Sequence, residues 1–180
     1  MKGIVEIVGD VVQEMEKDLS ITYPQGEVVD NPHLTYIFGN SQYVKDKLDE
    51  YSQSDEEVKF PLVVLFCPVK ERRDRSEYHS KTNLDIALVC SSDKEWNNEE
   101  RMEYSFKNIL RPMYDRLMDA IRTNKDFDVS YDEIIPHDYS ENYSYGKYGA
   151  YTESGEELSE PIDAINIRFL DIKVKSKSCR

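Results

Sequence analysis

The stretch "FPLVVLFC", residues 60–67, constrains the fold more than any other part of the chain. It is apolar at odd and even positions alike and rich in β-branched residues, so as a strand it has two faces to bury. Such a strand needs cover on both sides, which an isolated hairpin does not supply. Pro61 stands at its first position, where a missing N–H does little harm to a ladder. A second block, "NLDIALVC" (83–90), puts Leu84, Ile86, Leu88 and Cys90 on one face. The two blocks read as an antiparallel pair. The polar segment 68–82 between them is too long for a tight turn and reads as a long connection.

The other elements arrange themselves around this pair. Residues 4–19 carry Ile4, Ile7, Val8, Val11, Val12, Met15 and Leu19 at helical spacing. "ITYPQGEVVDNP" reads as a loop punctuated by Pro24, Gly26 and Pro32. "HLTYIFG" alternates Leu34, Tyr36 and Phe38 as a short strand, and residues 42–51 fit a short helix. The clearest element spans 97–122, where Asn97 and Glu100 form a capping box. Its apolar stripe runs through Met102, Phe106, Ile109 or Leu110, Met113, Leu117 and Ile121, and the interior Pro112 predicts a bend. In "IDAINIRFLDIKVK", Ile165, Ile167 and Phe169 share one parity, whereas Leu170, Ile172 and Val174 take the other. That phase switch at Phe169–Leu170 predicts a bulge in the last strand. The order is helix, strand, strand, strand, long helix, strand, an α+β pattern read as one domain over 1–180.

Charge narrows the function classes. There are 36 acids against 23 Lys and Arg, a formal net charge of −13. A free-standing nucleic-acid binder is usually basic, because phosphate neutralisation drives its affinity. An acidic body suits a protein partner, or a wall past which DNA slides without sticking. Two segments run against the trend. Within 68–82, Lys70, Arg72, Arg73, Arg75 and Lys81 face Glu71, Asp74 and Glu77, five minus three, or +2. From Arg168 onward, Arg168, Lys173, Lys175, Lys177 and Arg180 face only Asp171, or +4. Three cysteines (Cys67, Cys90, Cys179) without paired spacing point to a reducing compartment. No apolar run approaches the ~20 residues of a membrane span, and no membrane partner is expected.

Signatures of chemistry are weak. "DFDVSYDEIIPH" spaces Asp126, Asp128, Ser130 and Asp132 like the start of a calcium loop. Tyr131 stands where the sharp turn demands glycine, and His137 where a bidentate glutamate belongs. Asp163, Asp171 and Lys173 echo a metal-dependent nuclease. In one continuous strand, however, the two aspartates lie ~26 Å apart at ~3.3 Å per residue. His33, His79 and His137 fall in three separate predicted loops, none with a second ligand at metal spacing. No catalytic residue, metal or cofactor is expected.

The tyrosine run "YSENYSYGKYGAY" (139–151) lies within an extended segment, 123–162, ahead of the last strand. It carries Tyr139, Tyr143, Tyr145, Tyr148 and Tyr151, with Lys147 its sole cation. Base stacking favours aromatics interleaved with cations. Protein interfaces favour tyrosine, which offers large amphipathic area at low rotamer cost. The run is therefore read as an arm that orders against a neighbouring chain, ahead of a flap over its own sheet, with bases or sugars last.

This order of elements, with the blocks "HLTYIFG", "FPLVVLF", "LDIALVC", "FKNILRPMYDRLMDAI" and "AINIRFLDIKV", resembles the tail-terminator or tail-completion proteins of tailed bacteriophages. Most of all it resembles the neck-ring proteins of phages that infect Bacteroides, the crAss-like group included. The resemblance implies one mixed or antiparallel sheet packed by two helices. It also implies a virion protein made in the host cytoplasm, forming a six- or twelve-fold ring with copies of itself. Neighbouring portal, neck or tail proteins would be its other partners, and DNA would pass as transiting genome without specific binding. Contacts are then expected from the five tyrosines and from Arg72, Arg73, Arg75, Arg168, Lys173, Lys175 and Lys177. The alternatives are an intracellular protein-binding adaptor and the metal-dependent nuclease.

Overall fold

The computed structural model describes residues 2–52, 60–73, 79–130, 134–143 and 161–175. Helix α1 (Ile4–Glu16) buries Ile4, Ile7, Val8, Val11, Val12 and Met15 along one stripe. The Glu6 carboxylate accepts the Gly3 N–H at 2.7 Å and closes the first turn. The helix stops three residues before the apolar spacing does, because Lys17 is extended and Asp18 turns into the left-handed region at φ 59°. Leu19 still reaches the core, but from the chain beyond the helix.

The segment expected to be a loop after α1 is instead a hairpin. Strands β1 (Ser20–Thr22) and β2 (Val28–Asp30) pair antiparallel. Gly26, at φ 85°, donates its N–H to the Tyr23 carbonyl at 2.8 Å, so Pro24 and Gly26, read as punctuation, lie in the turn itself, whereas Pro32 follows β2.

The main sheet is built on two long strands, β6 (His79–Ser91) and β9 (Ile162–Lys175), which pair antiparallel along almost their whole lengths. The free flank of β6 is shared by β4 (Leu62–Phe66) and β5 (Lys70–Arg73), and β3 (Thr35–Gly39) adds parallel to β4. The free flank of β9 is shared by β8 (Asp138–Asn142) and β7 (Phe127–Asp128). The sheet is therefore mixed, and the class is α+β.

Two expectations are corrected here. Residues 70–73 are not part of a plain connection but an edge strand. The described parts of 123–162 include two further strands of the chain's own sheet rather than a free arm. Gly39, the last residue of β3, carries no side chain because the Tyr43 ring of helix α2 (Ser41–Ser52) occupies the space an added Cβ would need.

The long helix α3 opens with the expected cap. Asn97 Oδ1 accepts the Glu100 N–H at 2.9 Å, and Glu100 accepts the Asn97 N–H at 2.8 Å. Its first turn (Asn98–Arg101) passes into a π-register stretch (Met102–Leu110) and returns to α geometry over Arg111–Thr123. The Arg111 N–H donates five residues back, to the Phe106 carbonyl. Pro112, with no N–H to offer and a ring that crowds the preceding turn, thus sits where the ladder changes register.

Helices α1 and α3 cover one face of the sheet. There Val63, Leu65, Leu84, Ile86, Leu88, Ile165, Ile167, Leu170 and Ile172 meet Val8, Met15, Phe106, Leu110, Met113 and Leu117. Among the described residues, the opposite face is covered only in part. Helix α2 packs Val44 and Leu48 over Leu62, Val64, Ala87, Val89 and Ala164, so three helices rather than two enclose the sheet. Residues 61–65 of "FPLVVLFC" are buried on both sides because they cross both of these layers, whereas Phe66 and Cys67 are only partly covered.

Candidate interaction surface

The predicted bulge is present, one residue earlier than the parity switch indicates. Leu84 pairs with Leu170 and Ile86 with Ile167, so Asp85 alone faces both Arg168 and Phe169. Ile167 and Leu170 both point inward, and the two residues between them both point out. Phe169 is thereby corrected: it does not join Ile165 and Ile167 in the core but stands 60% exposed. Its backbone is in the left-handed region at φ 55°, a costly conformation for a bulky residue, and its N–H is held by Asp85 Oδ1 at 3.0 Å. The Arg168 guanidinium lies 5.9 Å from the Phe169 ring centroid, within cation–π range.

Beyond the bulge, strict alternation sends every second residue of β5, β6 and β9 to the uncovered face. Lys70, Arg72, Lys81, Lys173 and Lys175 are all exposed there. The register places Arg72 opposite Lys81, and Lys81 opposite Lys173. The two basic segments of the sequence thus meet as one cross-strand row of three cations. The row ends on an acid, since the register places Asp128 opposite Lys173, but Lys81 has a cation directly opposite on each side, an arrangement that disfavours a free sheet. Asp171 and Asp128 are the acids at this end, and Asp128 Oδ2 lies 3.0 Å from His79 Nε2. Among the described residues at this end, five cations against two acids leave +3, in a chain of −13 overall.

Between the cations and α2 lies a polar groove of about 500 Å³. Its walls include Phe66, Cys67, Asp85, Ser140, Asn142, Asn166 and Arg168. The groove's Asp85 and Arg168, the Phe169 ring and, past the Asn83–Asp171 pair, the cationic row lie along the same face of β6 and β9.

The start of the tyrosine run lies on the other face. Tyr139 meets Tyr114 of α3 edge-on, with centroids 4.9 Å apart, and Tyr143 packs on Phe106 at 4.3 Å. Between them Glu141 accepts from Arg111 Nε at 2.7 Å and Nη2 at 3.1 Å, and from the Tyr139 hydroxyl at 2.7 Å. The Arg111 hydrogen bond is the main reason the Glu141 carboxyl is held below the usual range. Burial, reinforced by Glu141, pushes the Tyr139 phenol well up. Tyr139 and Tyr143 thus contact their own helix, and Tyr139 keeps 42% of its surface exposed. The physical cause is register: β8 pairs with β9, which sends both rings toward α3. Tyr145, Tyr148, Tyr151, Arg75 and Lys177 lie outside the described residues. Arg73 points to the covered side and pairs with Glu71 at 3.0 Å.

The nuclease-like aspartates stand on opposite faces of the sheet, as the bulge and parity dictate. Asp163 is fully buried on the helix side, 2.9 Å from Arg101 Nη1 and accepting the Ser105 hydroxyl at 2.7 Å. Asp171 is exposed on the other. The sequence reading missed this buried cluster, although Asp163 shares the inward parity of Ile165 and Ile167. An ionised group at such a position needs a partner. In the calcium-like stretch, Asp126 is buried and Asp128 faces His79. Among the described residues, no three His, Cys, Asp or Glu side chains are grouped to hold a metal ion. Nor is any described helix long and apolar enough to cross a membrane.

No family model matches the chain, and no curated protein matches it.

Proposed function

We propose that this chain is a structural subunit of a bacteriophage head–tail junction. It forms a six- or twelve-fold ring with copies of itself and abuts portal, neck or tail proteins, with DNA passing through the ring. The order and character of its blocks, which resemble neck-ring proteins, support the reading, and an α+β core accords with it. The observation that carries it is the uncovered sheet face, where Arg72, Lys81 and Lys173 stand in one row on a strongly acidic chain. A ring subunit makes heterologous contacts, one patch meeting a different patch on the next copy, and opposite charges on one subunit supply such a pair. An acidic remainder also suits a channel through which a polyanion moves.

Quantitative mass spectrometry of purified phage particles tests this. The chain should be present at six or twelve copies per particle and remain through density-gradient purification. Its absence from particles, with the protein found only in the infected-cell lysate, would overturn the reading in favour of an adaptor.

A further inference from the structure

We propose that the uncovered strip centred on Phe169 and the Arg72–Lys81–Lys173 row is the docking face for a second copy of this chain. The inference rests on the ring reading and names the surface that would close the ring. Three local rules are broken on this one strip. A bulky aromatic is held in left-handed backbone by Asp85, the same ring is exposed to water, and three cations stand directly opposite one another. Strained backbone, exposed aromatics and opposed like charges are each disfavoured in a free surface and each explained by a partner. Aromatic and arginine side chains at the centre of a patch are the usual anchors of protein contacts, and Arg168 stacked on Phe169 supplies both.

The occupant follows from charge. A second copy carries −13 overall, and with the strip's five cations and two acids set aside the rest of it carries −16. Among the described residues, the strip on the first copy is where the two basic segments converge. Approach of acid to cation neutralises the repulsion within the row, which gives the contact its specificity and a strong dependence on salt.

The test uses the full chain and the double variant Lys81→Glu with Lys173→Glu, both exposed positions, alongside Phe169→Ala. Sedimentation velocity at low salt should show wild-type chain associating, with the association lost as salt is raised. The charge-reversed pair should weaken association at least tenfold, and Phe169→Ala by a similar factor. Circular dichroism melts within a few degrees of wild type would confirm that the folds are intact. A wild-type chain monomeric at every concentration, or a charge-reversed variant that associates normally, would overturn the proposal. So would a wild-type strip that binds a single-stranded oligonucleotide but not a second copy. These outcomes are separate from the particle measurement, since the chain can reside in the neck while using another face.

Discussion

Replacing Asp163 by alanine removes the carboxylate from a site with no route to water. Arg101 and Asp163 are 6% and 0% exposed at their side chains. Three of the guanidinium's hydrogen bonds survive, to Ser92 Oγ, the Asp93 carbonyl and the Trp96 carbonyl, but its charge is left without the counter-ion. The Ser105 hydroxyl loses its acceptor as well. Breaking one side of a buried pair costs about 3–5 kcal/mol, a large part of an ordinary domain's stability. For a chain of this size that corresponds to a melting point lower by roughly 6–20 °C.

Asp163→Asn keeps the volume and an acceptor and should lose less, about 1.5–3 kcal/mol, the worth of a hydrogen bond to a charged group. Replacing both partners by apolar residues, Arg101→Met with Asp163→Leu, should recover much of the loss. Equilibrium urea unfolding of the four proteins is the assay. An Asp163→Ala variant within about 1 kcal/mol of wild type would refute the reasoning, as would a double variant worse than the single.

Other expectations concern separate parts of the molecule. Phe169→Gly should raise folding stability by about 1 kcal/mol in urea unfolding, because glycine accepts positive φ without a Cβ penalty; a clear loss would show that the ring packs in the free chain. Glu141 has its folded pKa depressed by Arg111, so its pairing contributes stability above the unfolded carboxyl pKa of about 4.3 and loses it as pH falls through the lower folded value. The stability gap between wild type and Glu141→Gln should thus be full near pH 7 and close in acid; a gap that widens on acidification contradicts the assignment. Cys90 is fully buried and its thiol pushed up chiefly by that burial, whereas Cys67 is half-exposed. Thiol reagents should modify Cys67 in the native chain and Cys90 only after unfolding, with equal native rates the contrary result.

Much of this fold is legible in residue pattern because apolar spacing and burial are the same physics. "FPLVVLFC" demands two covered faces and has them over residues 61–65, and Asn97 with Glu100 marks the start of α3 to the residue. Where the pattern misleads, the cause is a tertiary term. "KERR" has no apolar alternation, yet it pairs with β6 because Glu71 bonds the Ser80 hydroxyl and Thr82 reaches the Lys70 carbonyl. That Tyr139 and Tyr143 pack on α3 shows only once β8 is registered against β9. The cationic row could not be read from either basic segment alone, since it exists only once β5, β6 and β9 lie side by side. Phe169 shows how a shift of one residue in a bulge moves a side chain from core to surface.

The proposed ring requires the cationic sheet face to be buried in an assembled particle, and lysine acylation read by mass spectrometry measures this directly. Lys81 and Lys173 should react readily in the free chain and be shielded in the intact virion, while Lys17 and Lys107, on the helix side, serve as the comparison. Equal labelling of Lys81 and Lys173 in the free and assembled states would contradict it.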